Sequence, residues 1–368
     1  MKKIIFILVV AMSTVTLFAA PLIIYVTPTG SSEGDGLSWA NAVSIDRARN
    51  LANWYNTKAT PVENQIWMKA GSYDIEKGIQ LTYQLTIYGG FTGKESLLSE
   101  RNWVTNQTII NRTGDNPGQV IWSNVEKDVL LDGLILQGGR PTSSNGCGTI
   151  TNGTTMRNCI IRDNKAGTNT CGLSIEQVKG ATKIVVIDNC LIINNEATDF
   201  LEVIKIGVPN TEIRNTTIAN NLSTTANNFA VITGKVPYKV YNSIIYNNLN
   251  VSTVAKNFGE NNSKELTNNA WDLAPTDGTL TNNIMLSSSP FVAATEYAGA
   301  ATGGKKRFSA IKSANFRLAN GSSCINAGNN TYATATIDLS GATRIQHSIV
   351  DLGCFESSFS AGFNNKIK

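Results

Sequence analysis

The chain alternates short apolar runs with polar turns at a nearly constant spacing. The stretch MRNCIIRDNKA recurs several times with the same alternation and the same asparagine-rich end. The units start 26 to 31 residues apart, and a period of about 20–50 residues is typical of stacked repeats. The six units are VTNQTIINRTG (104–114, a loose match), LLDGLILQGGR (130–140), MRNCIIRDNKA (156–166), IDNCLIINNEA (187–197), IRNTTIANNLS (213–223) and VYNSIIYNNLN (240–250).

The alternation within each unit indicates a strand, because positions four and six of the unit fall on one face of a strand. In the five closer matches, the fourth position carries a small residue and the sixth is isoleucine. We therefore expect the isoleucines to stack as one buried column inside a closed structure. They are Ile135, Ile161, Ile192, Ile218 and Ile245.

Each of the last four units ends in a polar pair, such as Asp163-Asn164 or Asn194-Asn195. Asparagine tolerates the left-handed backbone conformation that a sharp turn requires. Asparagine amides that recur at one period can also hydrogen-bond from repeat to repeat, as in stacked β-arrays. These features predict an all-β fold, a right-handed parallel β-helix in which successive coils lie about 4.8 Å apart.

The ends of the stack carry different signals. Residues 44–55 begin on a favourable N-cap, Ser44, and place apolar residues on one helical face, which predicts a helix that caps the N-terminal coil. Residues 252–310 lose the period and predict irregular coils and loops within the same domain. The predicted organisation is a β-helix domain over residues 21–356, followed by a tail at 357–368.

The first 20 residues resemble a signal peptide. Two lysines precede an apolar run that ends in small residues before Pro21. A retained membrane anchor is disfavoured, because the run is short and Ser13, Thr14 and Thr16 interrupt it. No later stretch is apolar enough to cross a membrane. We therefore expect a secreted or periplasmic protein, which is also compatible with association with the cell surface.

Composition excludes some function classes. Charged residues make up 16% of the chain and the net charge is +4, which argues against a nucleic-acid partner. His347 is the sole histidine, so a metal site built from several histidines is excluded and we predict no bound metal. Four of the six cysteines lie in or beside the repeats, where buried thiols and disulfides between stacked coils are both open. These four are Cys147, Cys159, Cys171 and Cys190.

Motifs at both ends go beyond the repeat. YVTPTGSSEGDGLSWANAVSIDRA, QIWMKAGSYDI and LTIYGGFTGKESLLSERNW stand near the start, and NFRLANGSSCINAGNN and DLSGATRIQHSIVDLGCFE stand near the end. Together they resemble secreted bacterial right-handed parallel β-helix proteins of the pectate-lyase-like superfamily, with a terminal segment similar to a choice-of-anchor domain. The resemblance implies the fold but little chemistry. It also implies that Cys324 and Cys354, which depart from the usual pattern, lie together, so a disulfide between them is expected.

The resemblance raises an enzymatic alternative. Pectate lyases of this fold use clustered acids that bind Ca²⁺ together with a basic residue, and galacturonases use neighbouring aspartates. The sequence has no Asp-Asp pair and no RxPxxR-like motif. These absences argue against an enzyme of the known types, so Ca²⁺ is expected only if the protein is a lyase.

One set of outward positions carries charge and aromatic groups. The second position of the repeat reads Leu131, Arg157, Asp188, Arg214 and Tyr241. Arginine pairs well with carboxylates, and tyrosine offers a flat face with a hydroxyl group, so a polysaccharide would suit such a surface. A solvated row of ion pairs without a ligand is the alternative. With the seventh position included, the candidate carbohydrate-binding residues are Arg157, Arg162, Asp188, Arg214, Tyr241 and Tyr246.

Three functions remain open on this evidence. The first is a non-catalytic carbohydrate-binding or surface-associated protein, which the rigid stack and the charged positions favour. The second is a polysaccharide lyase or glycoside hydrolase, which rests on fold analogy alone. The third is a structural or adhesive protein. The sequence favours the first and identifies no catalytic residue.

Overall fold

The structure is a computed structural model that describes residues 21–57, 64–113, 118–142, 145–167, 170–198, 202–225, 230–251, 253–260, 263–300 and 314–359. The predicted signal peptide and residues 360–368 of the predicted tail lie outside the described residues.

Three long sheets run the length of the molecule, and consecutive coils contribute one strand to each. Sheet A contains Leu22–Ser31, Asn64–Lys69, Leu85–Phe91, Val129–Asp132, Thr154–Arg157, Val186–Asp188, Thr211–Arg214, Tyr238–Tyr241, Lys264–Thr267 and Thr279–Thr281. Sheet B contains Gly71–Ile75, Thr108–Arg112, Leu134–Gln137, Ile160–Arg162, Leu191–Ile193, Thr217–Ala219, Ile244–Tyr246, Ala270–Trp271 and Ile284–Met285. Sheet C contains Ile79–Gln80, Ile121–Trp122, Gly148–Thr151, Leu173–Glu176, Ile204–Ile206, Ala230–Gly234 and Lys256–Phe258.

Neighbouring strands in these three sheets pair in parallel wherever the structure describes them. Parallel neighbours in one sheet require a crossover, which is right-handed in almost all proteins. The molecule is therefore a right-handed parallel β-helix, as the repeat predicts. A smaller sheet of two-residue strands follows sheet B in each central coil: Lys165–Ala166, Glu196–Ala197, Leu222–Ser223, Leu249–Asn250 and, antiparallel to the last of these, Thr253–Val254.

The predicted interior column exists, with one correction. Ile161, Ile192, Ile218 and Ile245 pair in register and are fully buried. The partner of Ile161 in the preceding coil is Leu136, so Ile135 does not belong to the column. Gly133 explains the shift, because it adopts a φ of 75° and takes the same left-handed turn position as Asn158. The prediction matched Gly133 to the small inward residues instead.

The predicted asparagine ladder is also present. Asp163, Asn194, Asn220 and Asn247 all adopt positive φ angles of 50–55° and turn the chain out of sheet B. The residue after each turn points inward, and the side-chain Nδ2 of Asn195 donates to Oδ1 of Asn221 at 2.9 Å. Equivalent bonds join Asn164 to Asn195 and Asn221 to Asn248. The four inner amides are fully buried and satisfy one another, which makes a polar interior tolerable.

The N-terminal coil is covered by the helix Ile45–Asn56, which matches the predicted span within one residue at each end. The Ser44 hydroxyl accepts a hydrogen bond from the Arg47 amide at 3.3 Å, as an N-cap does. Ile45, Ala48 and Ala52 of this helix are buried against the first coils. Among the residues that the structure describes, no helix is long and apolar enough to cross a membrane.

The C-terminal part differs from the prediction in two ways. Regular coils continue through much of the predicted irregular stretch, as far as Met285. Residues 286–300 and 314–359 then leave the stack, although the sequence predicted coils up to residue 356. They include the antiparallel pair Phe291–Ala293 and Asn315–Leu318 and the 3₁₀ turn Asn330–Tyr332, and a second 3₁₀ turn, Leu98–Glu100, lies near the N-terminal end.

This C-terminal part packs on the outside of sheet B, where it completes a second hydrophobic cluster. Cys324 and Cys354 both lie in that cluster and are fully buried, but the two are free thiols, so the expected disulfide is not present in the structure. Burial raises the pKa of each thiol to about 12, which makes both thiols poor nucleophiles. The other four cysteines are also buried free thiols.

Candidate functional site

The predicted charged positions form one outward column on sheet A. Arg157 pairs in register with Asp188, which pairs with Arg214, which pairs with Tyr241. On the N-terminal side, Arg157 pairs with Asp132 and not with Leu131, because the shift at Gly133 applies here too. Asp132 in turn pairs with Tyr88. The column therefore alternates arginines with carboxylates between aromatic ends.

Asp132 is the innermost charged group of the column, with a fully buried side chain. Its Oδ2 atom lies 2.6 Å from Nε of Arg157 and 2.8 Å from Nη2 of Arg101. Its Oδ1 atom accepts a hydrogen bond from Asn158 at 2.8 Å. Both carboxylate oxygens are thus occupied by donors. Burial tends to lower the pKa of Arg157, but the Asp132 charge outweighs it and the net shift is upward.

Arg101 forms part of the floor of the site beside Asp132. Its guanidinium carbon lies 4.7 Å from the ring centroids of both Tyr88 and Trp103. Its Nη1 donates to the carbonyl groups of Gly89 and Asp132, each at 3.2 Å. Cation–π contacts and charge-assisted hydrogen bonds together fix this side chain, which is only 7% exposed.

Asp188 is the second buried carboxylate, two strands from Asp132. Its Oδ1 atom accepts from Asn215 at 2.9 Å, and its Oδ2 atom accepts from the Thr334 hydroxyl at 2.9 Å. Nε of Arg214 lies 3.3 Å from the same Oδ2 atom, and Nη1 of Arg214 donates to Glu212 at 3.3 Å. Asp188 therefore ties the column to a segment far along the chain.

That segment, residues 327–337, is called the C-terminal strap below. It lies along a second row of asparagines, which turn the chain between sheets A and B with φ angles of 48–54°. Each of four asparagines donates its amide to a main-chain carbonyl of the strap. The pairs are Asn268 with Ala327 at 3.2 Å, Asn242 with Asn329 at 2.9 Å, Asn215 with Tyr332 at 2.8 Å, and Asn189 with Ile337 at 3.3 Å.

A polar cleft of about 390 Å³ lies between the column and the strap. Arg101, Asp132, Arg157, Asp188 and Arg214 line its floor, and Trp103 and residues 334–337 line its sides. The Arg157 side chain is 42% exposed there. Arg157 contacts Asp132 through its Nε atom. No group in the described part of the chain bonds the two terminal nitrogens of Arg157. The cleft thus presents a fixed guanidinium with free donors.

The structure separates the other predicted binding residues from this cleft. Tyr241 belongs to the column but is covered by the strap, since its ring stacks on Tyr332 with centroids 3.9 Å apart. Arg162 and Tyr246 lie on sheet B, with Ile193 and Ala219 between them. The expectation of one patch for all six residues is therefore wrong. It fails because the turn at Asn158 sends the second and seventh positions of the repeat to different sheets.

Arg162 and Tyr246 make contacts of their own on sheet B. Arg162 donates from Nε to Gln137 at 3.1 Å, and burial lowers its pKa. Tyr246 packs edge-on against Phe291 of the C-terminal part, with centroids 6.1 Å apart. Both residues therefore serve packing against neighbouring groups in this structure.

The cleft does not suit the calcium ion that the lyase alternative would require. Calcium binds six to eight oxygen atoms, commonly from carboxylates. Both carboxylates of the cleft are already paired with arginine and with neutral donors. Within the described ranges, no group of three or more histidine, cysteine, aspartate or glutamate side chains is arranged to hold a metal ion.

Sequence reasoning missed several residues that build the cleft. Asp132 was misaligned, and Arg101 lies outside the repeats. The strap lies 59 to 148 positions further along the chain than the asparagines that it contacts. The asparagine row that holds the strap was visible, because Asn158, Asn189, Asn215 and Asn242 occupy the same position of each unit. Their role in turns accounts for these asparagines, and the pattern alone does not predict a docked segment.

Comparisons with known proteins give little further information. No model of a known protein family matches the sequence, and no curated protein sequence matches it. Among solved structures, the crystal structure of pectate lyase Pel9A is similar with a TM-score of 0.38 and 15% sequence identity, covering 91% of this chain and 96% of that one. Membership of the pectate-lyase-like superfamily and the choice-of-anchor resemblance both stay predictions.

Proposed function

We propose that this protein is exported and binds a carbohydrate chain, without cleaving it, in the cleft between sheet A and the C-terminal strap. One observation carries the proposal. Arg157 is held in place through Nε by a buried carboxylate, while its two terminal nitrogens remain available to a ligand. A donor fixed in this way binds a ligand oxygen with little loss of side-chain entropy.

The surroundings of Arg157 support a sugar ligand. Trp103 provides an aromatic wall, and the polar residues Thr155, Thr334 and Thr336 also line the cleft. Aromatic faces with a few placed polar groups are typical of small-ligand and sugar recognition. Three arginines and two aspartates leave the cleft with a small positive excess, which suits a neutral or weakly acidic glycan better than a highly charged one.

The state of the two carboxylates supports binding without cleavage. Hydrolysis of a glycosidic bond requires one carboxyl group that donates a proton and one that attacks or activates water. Every oxygen of Asp132 and Asp188 already accepts a hydrogen bond or ion pair from the protein. Neither residue therefore presents a free oxygen to a substrate.

The test combines a glycan array with isothermal titration on the best ligand. Arg157→Gln keeps a polar side chain but removes the charge, and should weaken binding about 10–100-fold, the value of a charge-assisted hydrogen bond. Lys205→Gln is the matched control, because Lys205 is exposed on sheet C. Unchanged binding by Arg157→Gln would remove the cleft as the site.

Product assays on the same glycans address the chemistry. We expect no reducing ends and no unsaturated sugars to accumulate with the wild-type protein. Their release would overturn the non-catalytic proposal and favour the lyase or hydrolase alternative. Absence of any glycan ligand would favour a structural or adhesive role.

A further inference from the structure

The side chain of Asn215 contacts both the strap and the cleft. Its Nδ2 atom donates to Asp188 in the cleft at 2.9 Å and to the Tyr332 carbonyl of the strap at 2.8 Å. Its Oδ1 atom accepts from Nη2 of Arg344 at 3.3 Å. The Arg344 amide in turn donates to the Thr336 carbonyl at 3.0 Å, at the edge of the cleft. Arg344 thus anchors both the strap and the residue that orients Asp188.

Arg344 lies in a buried charged cluster with an incomplete ion pair. Its Nη1 atom is 3.9 Å from Oε2 of Glu356, which is too long for a hydrogen bond, and both side chains are 1% exposed. Among the residues that the structure describes, neither of these two atoms has a hydrogen-bond partner. Leaving such buried groups unbonded is costly, and most so when both are ionised.

Glu356 is the acid of this cluster that is least well bonded. Asp338 accepts from the amides of Ala342 and Glu356, and Asp351 accepts from the amides of Asn326 and Ser357. By contrast, Glu356 accepts one amide bond, from Asp351, on Oε1 alone. The charged groups around it are Arg344, Asp351 and Asp338, with His347 acting on Asp351 and Arg317 stacked on the neighbouring Phe355.

We propose that the attachment of the C-terminal strap is controlled by protonation of Glu356, so that the wall of the cleft is held firmly at acidic pH and released as the pH rises. The proposal concerns the strap itself. Its consequence for a ligand rests on the glycan-binding function proposed above.

The direction of the pH dependence follows from the burial of Glu356. Burial raises its pKa to about 8; Arg344 lowers it, and Asp351 and Asp338 raise it further. The proposal requires that release of the strap displaces Arg344 and exposes Glu356, whose pKa then returns to the ordinary glutamate value of 4.5. A group with a raised pKa in the docked state favours docking below its free pKa, and this preference is lost as the pH rises through the docked value. The window is therefore about pH 4.5 to 8.

Hydrogen exchange with mass spectrometry on the full chain tests this without any glycan. The measured quantity is the opening equilibrium of peptides that cover the strap at pH 5, 6, 7 and 8, after correction for intrinsic exchange rates. Wild-type opening should increase by up to about tenfold per pH unit. Peptides from sheet C, such as Leu173–Glu176, should stay protected throughout, which separates strap release from general loosening.

Two variants make the result specific. Glu356→Gln is neutral at every pH and should remove most of the increase, while His347→Gln should keep it, since His347 is exposed and acts electrostatically on Asp351. A wild-type strap whose opening does not change with pH would overturn the proposal. So would a Glu356→Gln variant that keeps the wild-type slope. If Glu356→Gln does not fold, the wild-type comparison with sheet C still decides the question.

Failure of the glycan proposal would look different. A protein that binds no glycan but shows the pH-dependent exchange retains the strap mechanism and loses the proposed function. A protein that binds glycan with pH-independent exchange loses the strap mechanism alone.

Discussion

Two outward columns of the same repeat differ in their exposure. On sheet A, the column through Arg157, Asp188 and Arg214 faces an open cleft. On sheet B, the column through Arg162, Ile193, Ala219 and Tyr246 faces the C-terminal part of the chain, and its central members are buried. The two columns are five residues apart in each unit and have the same relation to the strand pleat.

The difference lies in composition as well as in position. The sheet A column carries charges at each central strand, whereas outward positions of sheet B include Leu191, Ile193 and Ile244, all buried. An outward apolar face of a sheet requires cover, because exposed patches of this kind are unfavourable in water. The C-terminal part supplies the cover over sheet B, and it leaves sheet A open except where the strap follows the asparagine row.

We expect the largest loss of stability from a substitution in the interior column and not in either outward column. Ile192→Ala removes a side chain from the fully buried interior column, where a closed coil has little room to relax. We expect a loss of about 2–5 kcal/mol in the free energy of unfolding, measured by urea denaturation. A loss indistinguishable from zero would place this residue at the surface and break the repeat alignment.

We expect a smaller loss in the free energy of unfolding when the next residue, Ile193, is truncated. Ile193 points outward and is buried only because the C-terminal part covers it. Ile193→Ala should cost about 1–3 kcal/mol, less than Ile192→Ala, since the covering segment can shift into the space. If the two columns were equally open, the variant would unfold at the same urea concentration as the wild type.

Truncation in the open column should have little effect on stability. The Arg157 side chain is 42% exposed. When this side chain is removed, Asp132 keeps its ion pair with Arg101 and its hydrogen bond from Asn158. Arg157→Ala should therefore change the free energy of unfolding by no more than about 0.5 kcal/mol, although glycan binding should be lost. A loss of several kcal/mol would mean that the pair with Asp132 has a structural role.

The substitution with the smallest expected effect, at Arg162, tests most directly whether only the sheet A column binds glycan. Arg162 lies on sheet B and bonds Gln137, away from the cleft. Arg162→Ala should leave glycan affinity unchanged in the titration that detects Arg157→Gln. A clear loss of affinity would restore the single extended patch that the sequence suggested.

The central coils could be predicted from the sequence because their signals are local. Ile161, Ile192, Ile218 and Ile245 follow from alternation, and the turns follow from asparagine at fixed positions. The coil at residues 130–140 was misaligned because glycine can replace either a small inward residue or a left-handed asparagine. Its second glycine, Gly138, with a φ of 81°, marks the correct register at the same five-residue spacing from Gly133.

The site could be predicted only in part, for a different reason. Arg157, Asp188 and Arg214 were found because they belong to the repeat. The cleft, however, also requires Arg101, Trp103 and the strap, whose positions depend on contacts over long sequence distances. No periodicity encodes such contacts. The covering of Tyr241 by Tyr332 was missed for the same reason.

The strap also has a consequence for the order in which the chain folds. Each coil packs on a neighbour one repeat away, so coils can assemble as the chain emerges, from the N-terminal helix onward. The strap cannot, because its residue Ile337 bonds Asn189, which lies 148 residues earlier. Leu339, just beyond the strap, bonds Trp103, which lies 236 residues earlier. Contacts of such long range form slowly. Until the C-terminal part docks, the apolar outer face of sheet B is exposed to other chains, which makes a late-folding intermediate of this kind prone to aggregate.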